Sequence, residues 1–380
     1  MTTITNPSEA LPTGGASHAG TSSRAAAASL LAILTIAVVS WWLLIDPQWG
    51  VLEVYGNQAN AAIFWALFVI VCLGFNLESW GFHRLRQPWR GIVFSACVIV
   101  GSLGITWALA AGWGQVDPSF AADRPDGTGY FAGAIFVLFA FLTNVPAAAN
   151  FAHRPWSGFG LRQPLLGLAE IAVAAVVCFG LYATFAAPAL STWAETSPLM
   201  SVNTVVGYFY SVVIVILISA NQADNWPWTR LTGARIAAWL PTVLLAGAGV
   251  YVVLRWLGGL LIGDAARTAL GADGVNIFAA QLGVCWVLWS IFWVNYRPDR
   301  PTHRSIVADR WIRVAITFAL ALLTFVVYYR FAAEHVLHES LISTGVAGNA
   351  LGFIDWVIVW MLLHAVAFER WPVGHATKRP

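Results

Sequence analysis

A short motif returns five times at a near-constant interval, and it admits only architectures built from a duplicated unit. Three copies read acid-x-Trp followed by Gly or Pro: Glu78-Ser79-Trp80-Gly81, Asp224-Asn225-Trp226-Pro227 and Glu369-Arg370-Trp371-Pro372. Their tryptophans stand 146 and 145 residues apart. Midway between them lie two degenerate copies, Ala152-His153-Arg154-Pro155-Trp156 and Asn295-Tyr296-Arg297-Pro298, so the period is about 73 residues. A second element, Leu-Arg-Gln-Pro, occurs at 85–88 and again at 161–164. Self-similarity at a fixed period marks repeated structural units.

Each unit is a pair of apolar stretches. The chain is 59% hydrophobic and only 10% charged over 380 residues, far from the balance of a soluble domain. Stretches long enough to cross a bilayer as helices fall at 25–45, 59–76, 91–112, 130–150, 164–187, 202–221, 235–257, 275–295, 311–330 and 350–369. The expected fold is an all-α integral membrane protein, with ten transmembrane helices arranged as five parallel-repeat helical hairpins. Residues 25–371 would form one polytopic domain, between a disordered polar tail at 1–24 and a short tail at 372–380. Pro164 and Pro241 suit a helix start or local kink, and Pro146 a kink late in the fourth span.

Charge sets the expected orientation. Sixteen of the 20 Lys and Arg fall on the side carrying the motif copies; only Arg124, Arg255, Arg267 and Arg330 fall on the other. By the positive-inside rule the motif side, with both termini, is expected to be cytoplasmic in a multi-pass membrane protein. The opposite loops are acidic. The net charge of +2 hides this polarity and gives no reason to expect nucleic acid as a partner. Cys72, Cys97, Cys178 and Cys285 all fall within spans, so neither a disulfide framework nor a CxxC metal site is expected.

The motif occurs where even-numbered helices leave the membrane. Tryptophan favours that interface and proline stops a helix. Glu78, Trp80, Asp224, Trp226, Glu369 and Trp371 are therefore read as helix-end anchors or as parts of a cytoplasmic gate. The acids would pair with the following basic loop, Glu78 with Arg84 or Arg86 and Asp224 with Arg230.

Ionisable groups within hydrocarbon are rare and mark function. Glu170 lies roughly 9 Å into the fifth span and Asp355 roughly 8 Å into the tenth, at about 1.5 Å per residue. Either is a candidate proton-coupling carboxylate. Asn144 and Asn150 flank Pro146, which frees a backbone carbonyl between two amides; with His364 they are candidate substrate contacts. His335 and His338 would share a helix face, with Glu334/His338 and His335/Glu339 at i, i+4. That spacing makes them weak metal-ligand candidates, and no second His or Cys cluster lies on their side. No Walker A loop, Gly-x-Ser-x-Gly or dinucleotide fingerprint is present, and no cofactor is expected.

Ten spans whose ends read Glu78-Ser79-Trp80 before Leu85-Arg86-Gln87-Pro88 resemble a group of bacterial ten-helix membrane proteins classed as amino-acid permeases. The resemblance covers residues from about 25 to 375. Ten spans, two isolated intramembrane acids, a proline-interrupted amide helix and no redox or nucleotide motif point to a secondary transporter of a small organic solute, driven by a proton or ion gradient, with the solute and membrane lipids as partners. An integral-membrane enzyme for a hydrophobic or lipid-like substrate, or a non-catalytic scaffold, are the alternatives.

Overall fold

The computed structural model describes residues 23–54, 56–124, 127–191, 197–228, 235–297, 305–339 and 348–372. Most of the two expected tails, and Arg230, lie outside the described residues. Among those residues every regular element is helical. Ten helices are long and apolar enough to cross a membrane: α1 (Ser23–Leu44), α2 (Asn57–Asn76), α3 (Trp89–Gln115), α4 (Thr128–Ala149), α5 (Leu165–Leu190), α6 (Val202–Asn221), α7 (Ala237–Ile262), α8 (Asp264–Tyr296), α9 (Ile306–His335) and α10 (Ala350–Ala367). The largest shift from the expected bounds is in α8, which begins at Asp264 instead of near 275. Its polar first turns are set off by Gly271, at φ 69°, before the apolar stretch Phe278–Tyr296. Pro164 stands at the start of α5. Pro146 and Pro241 lie inside α4 and α7, which run on past them.

The helices divide by parity. In the odd helices 22–33% of the most apolar window is buried, against 50–72% in the even ones. The packing explains the difference. Helix α2 packs on α4, α4 on α6, α6 on α8, α8 on α10 and α10 back on α2. The even helices thus close an inner ring of five. Around it, α1 packs on α10, α3 on α2, α5 on α4, α7 on α6 and α9 on α8.

Apolar side chains gain little by leaving lipid for protein, so close backbone approach at small residues does much of the joining. A Cβ at Gly207 of α6 would stand 2.3 Å from the Asn276 carbonyl oxygen of α8. One at Gly283 of α8 would meet Ile214 of α6 at 2.4 Å, and one at Gly352 of α10 would meet Asn60 of α2 at 2.5 Å.

Four even helices end in the same way. The amides of Ser79, His153, Asn225 and Arg370 donate to carbonyls six residues back, on Leu73, Ala147, Ser219 and His364. The amides of Leu77, Phe151, Ala223 and Phe368 donate five residues back. The chain then turns through two consecutive left-handed residues: Glu78-Ser79, Ala152-His153, Asp224-Asn225 and Glu369-Arg370, all with φ between 49° and 64°. These pairs open the motif copies, so the motif's first two positions are the helix terminator. At the remaining copy the ending differs: Arg297 takes φ −130° and donates four residues back to Trp293. Trp80 and Trp371 remain about half exposed beside these ends, as interface anchors would.

The Leu-Arg-Gln-Pro element ties outer helices to the inner ring. Gln163, before α5, donates to the Asn76 carbonyl at the end of α2 (2.8 Å). Gln87, before α3, donates to the Ala367 carbonyl at the end of α10 (2.9 Å). The second bond joins residues 280 apart in sequence and ties the start of α3 to the end of α10.

Candidate functional site

Five helices packed in a ring leave an axis, and near the acidic face that axis holds a cavity of about 70 Å³. All five inner helices or their first residues line it, among them Asn60 and Phe64 (α2), Phe141 (α4), Tyr210 (α6), Ile277 (α8) and Asn349 just before α10. No charged side chain is among its lining residues. Leu351 lines it too, and one helical turn deeper on the same face of α10 lies Asp355. Asp355 is 2% exposed. Among the described residues it makes no ion pair, and its Oδ2 has no hydrogen-bond partner. Tyr210 and Cys285, both buried, lie within electrostatic range of it. An ionised carboxylate there, without a counter-charge, costs several kcal/mol. A proton or a cation has to neutralise it.

Toward the Arg-rich face, four seams of the ring are closed by polar contacts. Asn76 donates to the Asn144 carbonyl (3.2 Å), joining α2 to α4. Asn150, at the end of α4, donates to Ser219 of α6 (3.0 Å). Gln222 exchanges bonds with Ser290, joining α6 to α8. Tyr296 of α8 bonds His364 Nδ1 of α10 at 2.7 Å, with the two rings parallel. Asn144, Asn150 and His364 are thus all placed between inner helices. Asn144 Oδ1 is buried and has no partner.

Glu170 is not the isolated acid that its sequence context suggests. Its side chain is fully inaccessible, and it accepts from Asn76 Nδ2 (2.8 Å) and contacts His153 Nδ1 (3.0 Å). The other nitrogen of that imidazole, Nε2, lies 3.2 Å from the exposed carboxylate of Glu78. The hydrogen bond to Glu170 holds His153 above the usual imidazole range, against the opposing effect of burial. A row of carboxylate, imidazole, carboxylate and amide therefore runs from the Arg-rich surface into the α2–α4–α5 junction. The expected pairing of Glu78 with Arg84 or Arg86 is corrected: its partner is His153. Asp224 pairs with Arg310 (3.3 Å) and Arg313 (3.2 Å) of α9, while its expected partner Arg230 lies outside the described residues. Glu369 pairs with Arg90 of α3 at 2.5 Å. Thus Asp224 and Glu369 reach across to the first turns of α9 and α3, and Glu78 to the end of α4. The motif ends folds the chain back through left-handed residues, which turns the acid away from the loop that follows.

On the acidic face the expected His335/His338 helix face does not form. Helix α9 ends at His335, and His338 adopts φ 50°, so neither i, i+4 pair survives. His338 Nδ1 bonds Asp46 (2.8 Å) and its ring packs on Trp49, while His335 packs against Phe331. Among the described residues no three His, Cys, Asp or Glu converge as a metal site. Beside this pair Glu339 is buried. Its Oε2 accepts from Tyr328 Oη and from the Asn349 amide, both at 2.7 Å, and Oε1 has no partner. Burial pushes Glu339 up to about 7, with the nearby Asp46 adding to the rise. Asn349 in turn accepts from Gln281 (2.7 Å), which connects Glu339 to the rim of the axial cavity.

No protein-family profile matches this chain, and neither a curated protein nor a solved structure matches it.

Asn60, Asn76, Tyr210 and Asn349 are not singled out by their sequence context. One signal for Asn76 is present in the repeat itself. Asn76, Asn150 and Gln222 each stand two residues before the first motif position, and all three bridge inner helices. Tyr210 and Asn349 carry no comparable mark.

Proposed function

We propose that this protein is a secondary transporter of a small organic solute across the bacterial inner membrane. The path is the axis of the inner ring, the Arg-rich face is cytoplasmic, and the five hairpins derive from one duplicated unit. Asp355 is the coupling carboxylate. The observation that carries this reading is the convergence of all five inner helices on one cavity directly above a buried acid without a counter-charge. Such an acid must exchange its proton or a cation to do work, and intramembrane carboxylates of that kind mark ion pathways. Glu170 is assigned a different task, since His153 and Asn76 already occupy its oxygens. The motif residues Glu78, Trp80, Asp224, Trp226, Glu369 and Trp371 act as helix-end anchors that hold the ring's cytoplasmic rim. An enzyme built on His335 and His338 has no support, because the two side chains do not converge.

The test uses the thiol at the ring's centre. Cys285 is buried within electrostatic range of Asp355. In a protein with Cys72, Cys97 and Cys178 replaced by alanine, a small cationic thiosulfonate applied to proteoliposomes should modify Cys285 and block gradient-driven uptake. Asp355→Asn should abolish coupling to an imposed pH gradient while leaving the protein folded. Full protection of Cys285 throughout transport, with uptake continuing at the wild-type rate in Asp355→Asn, would place the path elsewhere.

A further inference from the structure

The chemistry of the axial cavity narrows the class of solute, given the reading of the ring axis as a transport path. Phe64, Phe131, Phe141 and Tyr210 give it aromatic walls, and the amide of Asn60 reaches it from α2. Neither Lys, Arg nor His is among its lining residues, so nothing there compensates an anion. Asp355 lies one turn below Leu351 with its Oδ2 unpartnered, and at the rim the carboxylate of Glu339 accepts from the amide of the lining Asn349, so the charged groups about the cavity are acids. Aromatic faces attract cations, more strongly where water is excluded. A carboxylate in hydrocarbon is relieved by one positive charge and no more. The volume of about 70 Å³ suits a small solute.

We propose that the axial cavity and Asp355 form a binding site for a small organic monocation of the methylammonium class. The ammonium head sits against the Asp355 carboxylate, and the methyl groups lie against the aromatic walls. The proton that Asp355 carries when the site is empty leaves as the cation arrives, so one proton is exchanged for one solute. Neutralisation is preserved in both states. An amino acid brings a carboxylate that would face Asp355 with no cation to balance it, so this proposal departs from an amino-acid substrate.

The experiment is equilibrium binding of radiolabelled methylammonium to the full-length protein in detergent micelles at pH 7.5, paired with proteoliposome uptake. Saturable binding is expected, displaced by dimethylammonium and not by acetate or glycine. Asp355→Asn should weaken it by about tenfold or more, and Phe64→Leu by about two- to fivefold, the range that cation–aromatic contacts span. Asp355→Glu keeps the charge and should retain measurable binding, which covers the case that Asp355→Asn does not fold. Binding unaffected by Asp355→Asn, or displaced equally by acetate, would overturn the site. Saturable uptake of an anion or zwitterion, lost in Asp355→Asn and without methylammonium binding, would overturn the solute class while keeping the path. Methylammonium binding with no flux of any labelled solute would support the site and overturn the transport reading on which it was built.

Discussion

Glu339 offers a stability measurement whose sign and size follow from its surroundings. Its carboxylate is 5% exposed and burial raises its proton affinity from the ordinary 4.5 to about 7. Each unit corresponds to about 1.4 kcal/mol, so ionising Glu339 in the folded protein costs about 3 kcal/mol. Between pH 4.5 and 7 the unfolded chain has released this proton and the folded one has kept it. Stability should therefore fall with rising pH across that window and level off above it. Glu339→Gln removes the titration and keeps the acceptor, since the amide oxygen can still receive Tyr328 Oη and the Asn349 amide. The variant should match the wild type at pH 5 and exceed it by about 3 kcal/mol at pH 8.5. The neighbouring Asp46–His338 pair is common to both proteins. Thermal unfolding in micelles from pH 5 to 9 reads the effect as a gap between the two melting curves that opens by a few degrees. A gap that is constant with pH, or a variant weaker at every pH, would refute an unpaired buried carboxyl at this position.

Two further outcomes test the packing and the polar row. His153→Ala strips the base between Glu78 and Glu170 and should destabilise by about 1–3 kcal/mol. Because His153 is held above the usual imidazole range, its stabilisation is present below pH 6.5 and lost as pH rises through its folded value. The defect in unfolding temperature should therefore be larger at pH 6 than at pH 9. Gly207→Ala would set a methyl 2.3 Å from the Asn276 carbonyl and should lower stability by about 1–3 kcal/mol. Gly249→Ala, where an added methyl meets nothing within 4 Å, is its control; equal melting temperatures for the two would contradict the ring's close α6–α8 seam.

The ten spans were legible because hydrocarbon thickness imposes a length and a composition on any crossing helix. Parity was not. Mean hydropathy lies between 1.9 and 2.2 for every span, because lipid tails are as apolar as a protein interior and inner helices need no extra greasiness. The motif's place at helix ends could be read, but the partner of Glu78 could not. Which base meets an acid depends on two left-handed residues that redirect the chain, and His153 arrives from the neighbouring repeat. Asp355 could be read as buried from its depth, whereas its lack of a counter-charge depends on what five separate helices place around it. His335 and His338 misled because α9 stops between them, at a turn that no Gly or Pro announces.

The ring is closed by its last member. Helix α10 packs between α8 and α2 and also receives α1, with Trp41 against Phe353 and Trp356 bonded to Ser40. A ribosome making about 5–20 residues per second needs on the order of 15–60 s to pass from α2 to α10. Throughout that interval the flank of α2 destined for α10, with the Asn60 amide on it, stays unpartnered beside the insertion machinery. The protein cannot mature hairpin by hairpin to a finished state. Its first helices wait on its final one, so a chain cut short before Ala350 leaves an open arc and an unsealed axis.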